Sequence, residues 1–389
     1  MKKIISILTA TRAEYGLLKP IIAKLNKVEE FDVRIVATGA HLSPEFGLTY
    51  KEIVEDGFSI DKKIEILLSS DTPTSISKSM GIAIIGFADY FEKLNPDLLI
   101  VLGDRYETLA VAITAMNQRI PIAHLYGGET TEGAIDESIR HAITKLSYLH
   151  FTSTAEYRKR VIQLGEHPDR VYNVGAIGIE NILNEKLLSK EKVEEELIID
   201  TNRPYAMVTF HPVTLENNSS KRQVESLLEV CKRYKNINFI FTKANADSEG
   251  RIINQIIGDY AKMNENIKYF NSLGMIKYLS ALKYCSMVIG NSSSGLLEAP
   301  SFGIPTVNIG DRQKGRMQAS SVINCQPTYE EIKLAIELAL NDLFIKQAKM
   351  TENPYGNGNT SDKVINVIKD YLLSKKIDLK KTFYDCEVE

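Results

Sequence analysis

Short runs of consecutive apolar residues recur through the first half of the chain, separated by segments in which apolar residues recur every three or four positions. The runs predict strands over residues 4–10, 32–38, 98–102, 120–125, 150–152 and 170–174. The intervening segments predict helices over residues 15–27, 75–94, 136–148 and 155–164, and one more after residue 105. Continuous apolar strands between helices are typical of a parallel sheet covered on both faces, so this half predicts a doubly wound α/β domain.

The same alternation begins again after a charged segment at residues 183–204. Further strands are predicted over residues 205–210, 237–242, 287–289 and 306–309. We therefore predict an N-terminal Rossmann-like domain over residues 1–180 and a C-terminal, nucleotide-binding Rossmann-like domain over residues 181–361. A final helix over about residues 362–375 is expected to complete the first domain.

Charged residues follow two successive strands of the first half at the point where each strand ends. They are Asp104, Arg105, Glu129, Asp136, Glu137 and Arg140. In open parallel sheets ligands bind where the strands end at their carboxyl side. One such cluster would be explained by a helix cap, whereas two at neighbouring strand ends predict a site.

A serine-rich turn in the second half predicts a phosphate-binding loop. Ser292, Ser293 and Ser294 lie between Gly290 and Gly295, after one predicted strand and before a helix predicted over residues 296–302. Backbone N–H groups and hydroxyls at the positive end of a helix favour an anion. A single serine would indicate only an N-cap, but three between two glycines favour phosphate binding.

Three arginines and one histidine add candidates for contact with the ligand. Arg312 and Arg316 follow the strand at 306–309 and are expected to reach the same anion as the serines. Arg12 follows the first strand, where it either contacts a phosphate or forms a weak surface pair with Glu14. His211 directly follows a strand and is the best histidine candidate for contact with substrate.

Composition and missing motifs exclude several classes of function. The net charge of -3 argues against a general nucleic-acid or membrane-surface binder. No Gly-x-Gly-x-x-Gly follows the first strand and no P-loop occurs, which disfavours a tightly held dinucleotide and an NTPase. The 4 cysteines are scattered and no His-x-x-x-His occurs, so we expect no catalytic metal and a cytoplasmic location. The apolar run at 4–10 is too short for a membrane span and lacks a signal-peptide cleavage pattern.

A series of motifs along residues 3–370 resembles the hydrolysing UDP-N-acetylglucosamine 2-epimerases of sialic-acid-type sugar synthesis. The first half carries Thr11-Arg-Ala-Glu-Tyr15, Gly39-Ala-His41, Gly103-Asp-Arg-Tyr-Glu107, Gly127-Gly-Glu129 and Ile135-Asp-Glu-Ser-Ile-Arg-His-Ala-Ile-Thr-Lys145. The second half carries His211-Pro212, Asn245-Ala-Asp247, Gly290-Asn-Ser-Ser-Ser-Gly295 and Gly310-Asp-Arg-Gln-Lys-Gly-Arg316. Each fragment alone is weak, but the ordered series is specific.

The resemblance implies a GT-B architecture of two Rossmann-like domains, with the nucleotide sugar in the cleft between them. It implies no metal and no nicotinamide cofactor for catalysis. The implied reaction converts UDP-GlcNAc and water to UDP and N-acetylmannosamine through elimination to a 2-acetamidoglucal and hydration. The expected partner is a UDP-sugar substrate, without nucleic acid or membrane, and the expected assembly is a homodimer or homotetramer.

The resemblance also implies roles for individual residues. The candidate catalytic residues are Asp104, Glu129, Asp136, Glu137, His211 and Arg140. The candidate substrate- and UDP-binding residues are Arg12, Glu14, His41, Arg105, Asn245, Asp247, Ser292, Ser293, Ser294, Glu298, Arg312 and Arg316. Non-hydrolysing relatives tend to carry Glu at the position of Tyr126, so the residue that removes the C2 proton stays open among the acids.

Other functions remain as alternatives. Relatives hydrolyse a UDP-2,4-diacetamido-2,4,6-trideoxy sugar on the way to legionaminic acid, and that substrate differs from UDP-GlcNAc at C4 and C6. A non-hydrolysing epimerase would keep UDP attached to its product. A GT-B glycosyltransferase would share the phosphate loop but needs an acceptor, and a catalytically dead nucleotide-sugar sensor would not need acids at both strand ends.

Overall fold

The computed structural model of the protein describes residues 2–68, 72–130, 135–200, 203–211, 220–242, 250–270, 273–374 and 377–387. The chain divides into two compact units. The first unit consists of Met1–Asn181 and Tyr355–Glu389, and the second is Ile182–Pro354. In the described residues, no helix is both long and apolar enough to cross a membrane.

The first unit is built on a parallel sheet. Its described strands are β1 (Lys3–Thr9), β2 (Phe31–Thr38), β3 (Ile60–Ile64), β4 (Leu98–Leu102), β5 (Ile122–Leu125), β6 (Leu149–Thr152) and β7 (Val171–Asn173). They pair in the order β3-β2-β1-β4-β5-β6-β7. The direction of winding reverses between β1 and β4, and such a switch point opens a crevice outside the carboxyl ends of the strands.

The second unit repeats this plan with its own parallel sheet. Its described strands are β8 (Tyr205–Thr209), β9 (Asn238–Thr242), β10 (Ile267–Phe270), β11 (Met287–Gly290), β12 (Thr306–Ile309) and β13 (Val322–Cys325). Their order is β10-β9-β8-β11-β12-β13, so the switch point lies between β8 and β11.

Helices connect the strands and cover both sheets. In the first unit and the segment that follows it they are α1 (Arg12–Leu25), α2 (Tyr50–Glu55), α3 (Pro73–Leu94), α4 (Tyr106–Asn117), α5 (Ile135–Leu146), α6 (Ala155–Gln163), α7 (Ile177–Asn184) and α8 (Lys190–Leu197). Farther along they are α9 (Ser220–Arg233), α10 (Gly250–Met263), α11 (Gly274–Tyr284), α12 (Ser294–Leu297), α13 (Tyr329–Ala339), α14 (Asp342–Lys349) and α15 (Thr360–Lys369).

The first sheet has an apolar core on each face. Leu98 and Ile100 of β4 belong to one core, and the intervening Leu99 and Val101 belong to the other. Successive side chains of a strand point to opposite faces, so a strand covered on both faces must be apolar throughout. This explains the continuous apolar runs in the sequence.

The chain returns to the first unit at its end. Helix α15 packs against α1, and its buried Val364 and Ile368 share a core with Leu18 and Ile21. A π-helical turn, Asp370–Ser374, continues it.

Three observed strands were not predicted from the sequence, and one predicted helix is shorter than expected. Strands β3, β10 and β13 lie at sheet edges. The helix predicted over 296–302 divides into α12 and a 3₁₀ turn, Ala299–Phe302. Pro300 lacks the N–H that an α-helical hydrogen bond requires, which accounts for the change at this point.

Candidate active site

The carboxyl ends of β4 and β5 bring charged groups together around Arg140. Arg140, in the second turn of α5, is buried, and its guanidinium bonds the carboxylate of Asp104. The same guanidinium donates to the main-chain oxygen of Glu129 over 2.7 Å and to Oε2 of Glu137 over 3.4 Å. A guanidinium offers five donors in a fixed planar fork, so one arginine can hold all three groups. The structure therefore brings together four of the residues singled out from the sequence.

The first turn of α5 carries another acid that was singled out from the sequence. Asp136 is half-buried there and directly precedes Glu137, whose Oε1 lies 3.2 Å from Nε2 of His141. Negative charge in the first turn of a helix is favoured by the helix dipole. In the described part of the chain, no group of three or more His, Cys, Asp or Glu side chains is arranged to hold a metal ion.

A buried histidine supports the turn that carries Asp104. Nε2 of His124 lies 2.8 Å from the main-chain oxygen of Gly103, and Nδ1 lies 3.4 Å from the hydroxyl of Thr144. Burial lowers the pKa of His124 to about 3, so the ring is neutral at ordinary pH. His124 therefore shapes the end of β4 through hydrogen bonds and adds no charge to the cluster.

The turn that carries Glu129 is held from several sides. Ser153, at the end of β6, donates its hydroxyl to Oε1 of Glu129 over 2.6 Å. Gly128 has φ +81°, and a Cβ there would lie 2.4 Å from the main-chain oxygen of Tyr157. Arg160 donates to the main-chain oxygen of Gly128 over 2.6 Å. Only glycine fits this turn, and the surrounding bonds fix the direction of the Glu129 side chain.

A second charged cluster lies between β1 and β4, at the switch point of the first sheet. Arg105 Nε donates to Glu107 Oε1 over 2.7 Å and lies 3.9 Å from Glu14 Oε1. Glu14 Oε2 accepts from the main-chain N–H groups of Ala10 and Thr11, which completes a capping box for α1. Burial raises the pKa of Glu14 to about 7, and the neighbouring charge of Glu107 adds to the rise.

The surroundings of His41 indicate a structural role. His41 is fully buried, with Nε2 2.9 Å from the hydroxyl of Thr9 and Nδ1 2.8 Å from the hydroxyl of Thr49. Burial lowers the pKa of His41 to about 4, so the ring is neutral. Both ring nitrogens bond the protein itself, and Glu14 is similarly occupied by its capping box. These contacts favour packing over direct ligand contact for the two residues.

Arg12 and Arg105 border a cavity of about 850 Å³ within the first unit. The side chain of Arg12 is 72% exposed and pairs with Glu52 over 2.9 Å. Surface pairs of this kind contribute little to stability, so Arg12 can exchange Glu52 for an anion at small cost.

In the second unit, His211 and Arg312 meet around a single asparagine. Asn291 Oδ1 accepts from the main-chain N–H of His211 over 2.7 Å, and Asn291 Nδ2 donates to the main-chain oxygen of His211 over 2.8 Å. The main-chain oxygen of Asn291 accepts from Arg312 over 3.1 Å. Residues at the ends of β8, β11 and β12 are thereby joined at the switch point of the second sheet.

The serine loop follows Asn291 directly. Ser292 and Ser293 are half-buried, and Ser292 Oγ accepts from the main-chain N–H of Ser294 over 3.4 Å. Ser294 Oγ bonds the carboxylate of Glu298 and lies 2.6 Å from the hydroxyl of Tyr278. Burial raises the pKa of Glu298. The Ser294 hydroxyl is thus engaged by Glu298 and Tyr278 within the protein.

Three further residues of the second unit were predicted to bind the ligand: Arg316, Asn245 and Asp247. Arg316 is exposed, and its main-chain N–H bonds the main-chain oxygen of Gln313 over 3.3 Å. Asn245 and Asp247 lie outside the described residues.

The sequence profile of the family described as UDP-N-acetylglucosamine 2-epimerase matches residues 23–369. The chain belongs to this family. The match extends through both units, and the resemblance drawn from the sequence motifs is confirmed.

Three proteins are similar to this chain over most of its length. The chain is 47% identical over 84% of its length to the GDP/UDP-N,N'-diacetylbacillosamine 2-epimerase (hydrolyzing) of Campylobacter jejuni, with 85% of that protein covered. It is 40% identical to polysialic acid biosynthesis protein P7 of Escherichia coli, covering 99% of the chain and 98% of that protein. It is 35% identical to the UDP-N,N'-diacetylbacillosamine 2-epimerase (hydrolyzing) of Legionella pneumophila, covering 97% of this chain and 98% of that protein.

A solved structure supports the fold. The UDP-GlcNAc 2-epimerase of Neisseria meningitidis, bound to UDP-GlcNAc, matches with a TM-score of 0.76 and 20% identity, covering 94% of this chain and 99% of that one. The predicted fold class, two Rossmann-like α/β domains of GT-B type, is confirmed.

Sequence reasoning overlooked several residues that contact the candidate site residues. Ser153, Glu107 and Asn291 all contact residues that were singled out. The signal was present for each, because Ser153 follows β6 and the other two lie inside quoted motifs. Their partners are distant in sequence, up to 80 residues away for Asn291 and His211, so the contacts depend on the fold.

Proposed function

We propose that this protein is a hydrolysing 2-epimerase acting on UDP-2,4-diacetamido-2,4,6-trideoxyglucose, which is UDP-N,N'-diacetylbacillosamine. The products are UDP and free 2,4-diacetamido-2,4,6-trideoxymannose. The observation that carries the proposal is the 47% identity to the Campylobacter enzyme, whose name gives the GDP- or UDP-linked form of this sugar, together with the 35% identity to the Legionella enzyme named for the UDP-linked form.

The reaction has two steps. A base removes the proton from C2 while the bond from C1 to the UDP oxygen breaks, which leaves a glucal with a C1–C2 double bond. Water then adds, with its oxygen bonding C1 and a proton returning to the opposite face of C2. The C2 proton is weakly acidic, so the elimination needs both a positioned base and stabilisation of the departing diphosphate.

The cluster around Arg140 has the groups that the proton transfers require. Asp104 and Glu129 follow adjacent strands, and Glu137 is bonded by the same guanidinium as Asp104. Asp136 precedes it on α5. The carboxylates of Asp104 and Glu137, both bonded to Arg140, and those of Glu129 and Asp136 are candidates for the base at C2 and for the donor of the returning proton.

The end of the second sheet has groups suited to the diphosphate. His211, Arg312 and the hydroxyls of Ser292 and Ser293 follow neighbouring strands of that sheet. Guanidinium, imidazole and hydroxyl groups are strong donors to phosphate oxygens. We assign them to stabilise UDP as it leaves, and we assign Arg12 and Arg105 of the first unit to further contacts with the nucleotide sugar.

A second candidate is the hydrolysis of UDP-GlcNAc to UDP and N-acetylmannosamine for sialic-acid-type synthesis. The 40% identity to the polysialic acid biosynthesis protein P7, over almost the entire chain, favours it. The two substrates differ only at C4 and C6 of the sugar, so the same acids and the same diphosphate groups serve either reaction.

A direct substrate comparison tests the proposal. The protein is incubated separately with the UDP-linked diacetamido sugar, its GDP-linked counterpart and UDP-GlcNAc, and free sugar and nucleotide are measured by NMR. We expect kcat/KM for the UDP-linked diacetamido sugar to exceed that for UDP-GlcNAc by about 100-fold. Preference for UDP-GlcNAc would favour the second candidate. A product that is still nucleotide-linked would contradict the hydrolysing reaction.

A further inference from the structure

The side chain of one buried asparagine forms hydrogen bonds with both the main-chain N–H and the main-chain oxygen of His211. Asn291 is 1% exposed, and its carboxamide makes two hydrogen bonds to a single residue, 2.7 Å from Oδ1 to the His211 nitrogen and 2.8 Å from Nδ2 to the His211 oxygen. A main-chain N–H can only donate and a carbonyl can only accept. Among side chains of this size, only asparagine offers an acceptor and a donor side by side without charge.

The end of β11 is shaped to bring Asn291 under His211. Gly290 has φ +129°, and a Cβ there would lie 2.0 Å from the main-chain oxygen of Thr209. The main-chain N–H of Asn291 donates to that same oxygen over 3.2 Å. Because glycine alone permits this approach, β11 can end directly beside the end of β8.

Asn291 is also held from the opposite side. Its main-chain oxygen accepts from Arg312 over 3.1 Å and from Nε2 of Gln313 over 2.8 Å. Gln313 is 2% exposed, so the bond from its amide is shielded from water. One residue therefore joins the end of β8, the serine loop and the segment after β12.

We propose that Asn291 is a positioning residue for the nucleotide diphosphate: it fixes the main chain of His211 relative to Ser292 and Arg312. Its carboxamide is engaged by His211, so it acts through His211 and does not contact the ligand itself. The inference rests on the proposed function for the identity of the ligand. A donor array for phosphate gains affinity when its members are ordered before binding, because less entropy is lost on association.

The test measures UDP binding by calorimetry for Asn291→Ala and for a matched control, Asn266→Ala. Asn266 also uses its carboxamide to bond the main chain, donating to the oxygens of Cys231, Tyr234 and Ile237, but it precedes β10 at the amino edge of the same sheet. We expect Asn291→Ala to weaken UDP binding by about 10- to 100-fold, as removal of two hydrogen bonds allows. Asn266→Ala should lower the melting temperature while UDP affinity stays within about twofold of wild type.

A double-variant cycle with His211→Ala separates positioning from general damage. If Asn291 acts through His211, adding Asn291→Ala to His211→Ala should weaken UDP binding by less than about twofold. The proposal would be overturned if the double variant lost UDP affinity by the product of the two single-variant losses. It would also be overturned by wild-type UDP affinity in Asn291→Ala.

A milder variant covers the case in which Asn291→Ala does not fold. Gln313→Met keeps the side-chain volume and removes one donor to Asn291, so it should weaken UDP binding in the wild-type background and not in His211→Ala. Unchanged affinity in both backgrounds would overturn the proposal. These measurements need no turnover, so a protein that binds UDP but hydrolyses neither sugar would contradict the proposed function while leaving this test intact.

Discussion

Arg140 is the residue on which the acidic cluster depends. It is buried and bonds Asp104, Glu137 and the main chain at Glu129. A buried guanidinium is stable only when charged or polar partners surround it, so the arginine and the acids hold one another in place. The geometry of the acids is thereby set before any sugar binds.

The first prediction concerns the acids themselves. Asp104→Asn and Glu129→Gln should each keep the fold and reduce kcat by about 10²- to 10⁴-fold, as loss of general acid–base catalysis does. The matched control is Asp97→Asn, because Asp97 precedes the same strand, β4, and bonds Lys3 and the main chain of Ile4 at the opposite edge of the sheet. The control variant should keep the wild-type kcat. A wild-type kcat in both acid variants would show that Asp104 and Glu129 take no part in the mechanism.

The second prediction concerns Glu14, whose pKa burial raises to about 7 from 4.5. The folded state then holds a proton that the unfolded chain releases, so this contribution to stability is complete below about pH 4.5 and is lost as the pH rises through about 7. Each unit of raised pKa corresponds to about 1.4 kcal/mol. We expect urea unfolding to show a fall in wild-type stability between about pH 5 and pH 8 that Glu14→Gln lacks. An exposed control, Glu55→Gln, should follow wild type, and parallel curves for all three would contradict the prediction.

At the scale of elements, Glu180 attaches the last helix to the first unit. Its carboxylate is 1% exposed and accepts from the main-chain nitrogen of Ser361 over 2.6 Å, from the Ser361 hydroxyl, and from Lys24 over 3.2 Å. The two Ser361 donors lie in the first turn of α15, where the helix dipole favours a negative charge, and Lys24 lies in the last turn of α1.

The third prediction follows from this attachment. Glu180→Ala should lower the free energy of unfolding by about 3 kcal/mol, because it leaves buried donors unsatisfied. Asp362→Ala is the matched control, since Asp362 also pairs with Lys24, over 2.8 Å, but is 62% exposed. The control variant should lower the free energy of unfolding by less than about 1 kcal/mol. Hydrogen exchange should accelerate across α15 in the first variant only, and equal losses in both variants would contradict the assignment.

Strands β3, β10 and β13, which lie at three of the four sheet edges, show why some edge strands escape prediction. Three successive residues of β3 are exposed, and β10 and β13 are only partly buried. An edge strand has a neighbour on one side only, so it needs no continuous apolar run. A central strand such as β4 is buried on both faces and apolar throughout, and its position was predicted correctly.

At the scale of the whole molecule, the two units repeat one strand order and each gathers polar residues at the carboxyl edge of its sheet. The first unit carries the acids and the second carries the donors suited to phosphate. This division is consistent with the proposed reaction, in which a proton leaves the sugar while a diphosphate departs from it.

The fourth prediction concerns the complete reaction. Turnover in H₂¹⁸O should place the label on C1 of the free sugar and leave UDP unlabelled, because in the proposed reaction the bond that breaks joins C1 to oxygen. Turnover in D₂O should place deuterium at C2, since the removed proton exchanges with solvent before one returns. Mass spectrometry and NMR of the products provide the measurement. Label on the UDP phosphate would mean attack at phosphorus and would contradict the elimination.

The alternation of apolar runs and helical segments was enough, without coordinates, to predict two parallel-sheet domains, and the ordered series of motifs was enough to identify the family. Burial on both faces imposes that pattern on each interior strand, and strand ends mark where ligands bind, so Asp104 and Glu129 stood out. Only the tertiary structure decided which side chains meet, because register and helix packing bring Arg140 to Asp104 across 36 residues and Asn291 to His211 across 80. It also decided that His41 is buried between two hydroxyls, a contact that no local pattern encodes.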